Sequence, residues 1–403
     1  MNFSFYRPFC YLLLTSSLLS ARTFEDTKGR KIEASVTALE GDKVTLKLDK
    51  TGKSYEIALE TLSAADQKFV TEWSESNKSG KDDAKPELSD PTKPEPNFDA
   101  EWPDLVKSEL DIEIETVEDG ENEGRFVYHS PNYEFISDVG LSKSVVKKFA
   151  VLFEATREYC RLLPIATMKA HVPGAQFRNR ILLFEDKADY VANGGSPNSA
   201  GVFISRGKNG RGVVMVPIES LGLKKLGSSY TYDYKGKNNV VIHEIAHQLT
   251  DSEYYRPGAR GWFTEGLAEY VANTPYRSGK YKVRTNLSAI KDYGTGTGPK
   301  GRGGRNLGEE ITSPDLKDFM LMPYSQFTSS NVQFNYGFSM LITYYFFHME
   351  EDRTNINNFL KALKEGKTGE DILNVLLNGR SWDEMEAQIS KAWRSKGVKI
   401  TFK

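Results

Sequence analysis

The stretch Val240-Val241-Ile242-His243-Glu244-Ile245-Ala246-His247-Gln248-Leu249 decides the reading of this chain. It contains neither proline nor glycine and follows Asn238 and Asn239, either of which suits a helix N-cap. As a helix it stacks His243 and His247 four residues apart on one face, near enough to grip a single ion. Glu244 is turned by about 100° from His243, beside such an ion and placed to take a proton from ion-bound water. Seventeen residues separate His247 from Glu265, within Gly261-Trp262-Phe263-Thr264-Glu265-Gly266-Leu267-Ala268-Glu269-Tyr270. That segment predicts a second helix, packed on the first through Phe263, Leu267 and Val271. A catalytic zinc takes three protein ligands and keeps a fourth position for water, and Glu265 is the expected third ligand. Glu269, one turn on, has two readings: acceptor for the ring N–H of a ligand histidine, or an ordinary salt-bridge partner.

Composition throws weight onto those histidines. There are five histidines and two cysteines in 403 residues, which excludes a disulfide scaffold and a cysteine-rich zinc protein. His129 and His171 have no partner pattern. With 53 basic and 55 acidic side chains there is no electrostatic reason to bind nucleic acid. A 39% hydrophobic, 12% aromatic chain is not wholly disordered, and its length suits two or three domains.

Residues 1–21 carry one early charge, Arg7, and an apolar run from Phe9 to Leu19, the pattern of a secretory signal. The chain is therefore expected to be secreted or to enter the periplasm or cell envelope. Removal of the signal takes Cys10, leaving Cys160 as a buried apolar side chain. No later segment is apolar for long enough to span a membrane. Residues 22–73 alternate apolar positions at Ile32, Ala34, Val36, at Val44, Leu46, Leu48 and at Tyr55, Ile57, Leu59, with turns between. A capping box at Ser63–Asp66 opens a short helix to Trp73, and together these predict an SH3-like β-barrel. Residues 74–101 are polar and proline-rich, a linker. Residues 102–403 read as one α+β region, with strands up to Val216 and helices after Pro217. The glycine-rich stretch Gly294–Gly304 lacks the ending of a phosphate loop and is read as a flexible loop.

Two resemblances sharpen these expectations. Arg22-Thr23-Phe24, Gly29–Ala34, Asp42–Lys47 and Leu59–Val70 resemble the SLA1 homology domain of exported bacterial proteins, which implies a module that docks a protein or cell-envelope partner. His243-Glu244-x-x-His247 followed by Trp262–Tyr270 resembles the gluzincin metallopeptidases, close to their peptidase-MA-like and aminopeptidase-N-like branches. That resemblance implies a mixed sheet over an active-site helix, a helical C-terminal lobe, and Zn2+ held by His243, His247 and Glu265. It implies a peptide or protein substrate, hydrolysed with Glu244 as general base. Gluzincins supply an oxyanion donor from a later helix, and the candidates here are Tyr336, 71 residues after Glu265, and His348. No G-x-M-E-N segment precedes His243, so an amine-anchoring exopeptidase site is not implied. Two other readings stand beside this one: hydrolysis of another amide such as a cell-wall peptide, and a non-proteolytic docking protein with a structural or vestigial zinc site.

Overall fold

The computed structural model describes residues 22–40, 42–48, 54–78, 97–118, 124–165, 167–172, 174, 177–205, 212–232, 239–298 and 303–403. The expected signal with Cys10, most of the expected linker, and Asn238 lie outside the described residues. The chain is α+β and divides into two compact units, Met1–Thr92 and Lys93–Lys403.

In the first unit, β1 (Arg22–Glu25), β2 (Lys31–Glu40), β3 (Lys43–Leu48) and β4 (Ser54–Ala58) form an antiparallel meander, followed by α1 (Ala64–Lys78). Strand alternation sends Phe24, Ala34, Val36, Val44 and Leu46 to one side, where Leu62 and Val70 complete a small core. Among the described residues β4 does not pair with β1, so the expected barrel is an open sheet. Residues of α1 and the turn before it supply the missing cover, with Phe69 edge-on to Phe24. Ile32 and Tyr55, near the starts of β2 and β4, lie exposed rather than on the apolar face. The expected capping box has a different use. The Ser63 hydroxyl accepts from the Asp66 N–H, while the Asp66 carboxylate takes the Glu25 N–H at 2.8 Å and ties the helix to β1. The helix runs on to Lys78, past the expected end at Trp73.

The second unit begins before Trp102, since Phe98 is already buried in its core. Its first half contains β5 (Leu105–Lys107), β6 (Glu115–Val117), β7 (Phe126–His129), β8 (Tyr133–Ser137), α2 (Lys143–Leu162), β9 (Asn179–Phe184), α3 (Lys187–Ala192), β10 (Val202–Ile204) and β11 (Val213–Pro217). Six of these strands form a mixed sheet in the order β10-β11-β9-β8-β7-β6, with β9 parallel to both β8 and β11 and β10 antiparallel at the edge. The apolar face expected for α2 is found: Val145, Val146, Phe149, Leu152, Phe153 and Thr156 are all buried, and Leu163 caps the helix before Pro164.

After β11 the chain is less purely helical than expected. A hairpin joins β12 (Leu223–Leu226) to β13 (Ser229–Tyr232) ahead of α4 (Asn239–Leu249) and α5 (Trp262–Asn273). Short β14 (Tyr276–Arg277) and β15 (Lys280–Lys282) extend β5. Then come α6 (Asn286–Thr295), β16 (Glu310–Ser313), α7 (Leu316–Met320), α8 (Tyr324–Phe327), α9 (Val332–His348), α10 (Thr354–Lys364), α11 (Gly369–Leu377), α12 (Trp382–Arg394) and β17 (Lys399–Phe402). Strand β17 pairs in parallel with β16, Lys399 against Glu310, a partnership between distant residues that local periodicity does not encode.

Three contacts place the site. Helix α4 packs on β10, β11 and α2, and α5 packs on α4. The Asn239 side-chain amide donates to the Ala272 carbonyl and to Asn273 Oδ1, locking the start of α4 to the end of α5. Helix α9 lies so close to α5 that a Cβ at Gly266 would fall 2.2 Å from Thr343 Oγ1 and 2.5 Å from the Ser339 carbonyl oxygen. Only glycine permits that approach. Among the described residues no helix is long and apolar enough to cross a membrane.

Candidate metal centre

Helix α4 presents His243 and His247 to α5, their rings nearly perpendicular with centroids 4.6 Å apart. Their Nε2 atoms are 3.0 Å apart, and Glu265 Oε2 lies 3.3 Å from the first and 3.1 Å from the second. All three residues are buried, Glu265 to 1% exposure. Bonds of 2.0–2.1 Å at tetrahedral angles set ligand atoms about 3.3 Å apart, so this triangle has the dimensions of one face of a tetrahedral coordination shell. The buried His243–His247–Glu265 cluster can hold a metal ion.

What surrounds the triangle orients it. The His247 Nδ1 atom is 3.2 Å from the Tyr255 hydroxyl, whose own proton goes to the His247 carbonyl oxygen. This arrangement suits a ring protonated at Nδ1, with the Nε2 lone pair facing inward. On His243 the corresponding atom is 3.0 Å from Glu269 Oε1, close enough to pair though off the line of the ring N–H. The salt-bridge reading of Glu269 is the one seen here: its carboxylate also receives Arg305 through Nη2 at 2.5 Å and Nε at 3.3 Å. The second oxygen of Glu265, Oε1, accepts the Tyr324 hydroxyl at 2.9 Å.

Electrostatics follow from that arrangement. Burial pulls the His243 pKa down, but the Glu265 and Glu269 carboxylates outweigh it and raise the value to about 10. Burial likewise works against the charge on Glu265 and Glu269, yet His247 and His243 hold the first well below its usual range, and His243 with Arg305 lowers the second. The pocket is tuned to keep carboxylates ionised and to gather positive charge.

Glu244 stands outside the triangle, half-buried, its Oε2 accepting the backbone N–H of Phe203 on edge strand β10 at 2.8 Å. Its charge adds to the burial that raises the pKa values of Tyr255, Tyr324 and Tyr336. Tyr336 lies parallel to the His243 ring at 5.9 Å, with the Arg305 guanidinium 4.8 Å over its own ring. Burial, then the Glu265 charge, raises its pKa far above the usual phenol value, so the hydroxyl stays a neutral donor. Among the described residues that hydroxyl has no hydrogen bond.

The other donor candidate, His348, is elsewhere. It bonds the Tyr270 hydroxyl at 2.9 Å and packs on Trp102 and Tyr344, with its pKa lowered to about 4 by burial and by Arg353. His129 lies 3.6 Å from Glu134 on the sheet. Cys160 is buried and unpaired, its thiol pushed up to about 12 by desolvation. Sequence reasoning missed Tyr255, Tyr324, Arg305 and the Phe203 N–H. Only Arg305 carried a signal, at the edge of the glycine-rich stretch, whose residues 299–302 lie outside the described residues. No protein-family model matches this chain, and a search of curated proteins likewise found no match.

Proposed function

We propose that this chain is an exported zinc-dependent peptidase of gluzincin type, acting on peptide or protein substrates. The observation that carries this reading is the convergence of His243 Nε2, His247 Nε2 and Glu265 Oε2 within 3.0–3.3 Å of one another. Zinc bound there would polarise a carbonyl and lower the pKa of a water to about 7. Glu244, held by the Phe203 N–H, would serve as the general base, holding a proton at its carboxylate and passing it to the leaving amine. Tyr336 donates its neutral hydroxyl to the oxygen on which negative charge develops. Tyr324 and Tyr255 fix the orientations of Glu265 and His247, the side chains that with His243 would hold the zinc. In this reading the first unit, an open four-stranded sheet covered by α1, is a module related to SLA1 homology domains that docks a protein or envelope partner.

The test uses the full-length chain loaded with zinc and presented with a mixture of unfolded proteins and peptides. Wild type is expected to cleave peptide bonds, with cleavage abolished by chelation. Glu244→Gln is expected to retain zinc and to lose about 10²–10⁴-fold in kcat, the usual worth of a general base. Undiminished cleavage by Glu244→Gln would sink the mechanism. Zinc without cleavage of any peptide would favour a structural or vestigial site, and cleavage of cell-wall peptides alone would move the substrate class.

A further inference from the structure

The turn that joins α4 to α5 is held from several sides. The Arg256 guanidinium donates to the Leu363 carbonyl, the Gly369 N–H to the Pro257 carbonyl, and the Trp262 indole to the Gly258 carbonyl. Ala259 is buried, and Gly261 turns the chain into α5 at φ +98°, a backbone region that side chains avoid. Between these fixed points Arg260 is exposed. Its guanidinium carbon lies 4.2 Å over the ring of Tyr324, the residue whose hydroxyl donates to Glu265 Oε1. Arg260 is thus two contacts from the metal triangle, and its charge is felt at both Tyr255 and Tyr324.

The contrast with Arg305 is informative. Both guanidiniums sit over a tyrosine of the centre, yet Arg305 is closed by the Glu269 carboxylate whereas no carboxylate pairs with Arg260 among the described residues. An exposed guanidinium offers five N–H donors in a fork that matches a carboxylate. The anchored turn also spares part of the ordering cost of binding, because the backbone that carries the fork is already fixed.

We propose that Arg260 anchors a carboxylate of the substrate, so that the site prefers peptides with a carboxylate close to the scissile bond. The proposal rests on the peptidase reading for its substrate class. The carboxylate has two sources, an Asp or Glu side chain or the C-terminus of a peptide, and the experiment separates them.

Full-length Glu244→Gln protein loaded with zinc is titrated with fluorescent peptides of one sequence in three forms: Gln with an amidated C-terminus, Glu with an amidated C-terminus, and Gln with a free C-terminus. One or both carboxylate forms are expected to bind roughly tenfold more tightly than the neutral form, the scale of a hydrogen bond to a charged group. Which form gains identifies the source. In Arg260→Gln on the same background the gain disappears with zinc content unchanged; Arg260→Lys retains part of it; Arg260→Glu shifts preference towards a Lys-containing peptide. Equal affinity across the three forms, a preference that survives Arg260→Gln, or no binding of any form overturns the proposal. Cleavage by wild type without an Arg260-dependent preference removes the anchor and leaves the peptidase reading. An Arg260-dependent preference without cleavage by wild type does the reverse.

Discussion

His243 and His348 are both largely withdrawn from water, yet one is raised to about 10 and the other lowered to about 4. At the end of α9, burial acts on His348 almost alone among Trp102, Tyr270 and Tyr344, and Arg353 adds to the cost of a charge. Between α4 and α5 the same burial is outweighed by Glu265 and Glu269. Desolvation makes a histidine neutral; only carboxylates sharing its pocket make it attract positive charge. The aromatic end of α9 is a place for packing, while the α4–α5 seam has a side-chain cluster that can hold a cation.

That contrast is broken most severely by removing a ligand. His247→Ala is expected to lower zinc affinity on the order of 10³-fold or more, measured by chelator competition, since two remaining ligands do not complete a catalytic site. His348→Gln should leave zinc affinity unchanged, and equal losses in the two variants would erase the distinction between the regions.

A pH series sharpens the other side. Because the folded pKa of His348 is depressed, the unfolded chain binds its proton first as pH falls. Its stabilising contribution is present above about 6.5 and is lost progressively as pH drops towards about 4. The full difference amounts to about 3 kcal/mol. Denaturant unfolding of wild type should therefore lose more stability between pH 7 and pH 4 than unfolding of His348→Gln. Parallel pH profiles for the two proteins would contradict the assignment.

A smaller change makes the surroundings of His243 more like those of His348. Glu269→Gln removes one of the two carboxylates, and zinc affinity is expected to fall about 10–100-fold while His243 remains a ligand. Arg305→Gln should act in the same direction through Glu269 and Tyr336. Unchanged affinity in both would show that the carboxylate behind His243 is a bystander.

How much of this was legible in the sequence depends on distance along the chain. His243, Glu244, His247, Glu265 and Glu269 lie on two helices whose period fixes which residues share a face, and the structure brings both histidines and Glu265 together as expected. The buried face of α2 was legible for the same reason. Tyr324 reaches Glu265 across 59 positions, the Phe203 N–H reaches Glu244 across 41, and Arg305 reaches Glu269 across 36. Such partners are chosen by packing, not by local pattern. Gly266 was visible as a letter, but its reason, the close passage of α9, is tertiary. The open sheet of the first unit departs from the expected barrel likewise, because alternation marks strands without stating which edges pair.

The proposed mechanism stands on His243, His247 and Glu265 holding one zinc ion. Anomalous diffraction at the zinc edge, from crystals of the full-length chain grown with stoichiometric zinc, tests it most directly. A single strong peak is expected about 2.0–2.2 Å from His243 Nε2, His247 Nε2 and a Glu265 oxygen. A peak held by other residues, or none at this triangle, would contradict it.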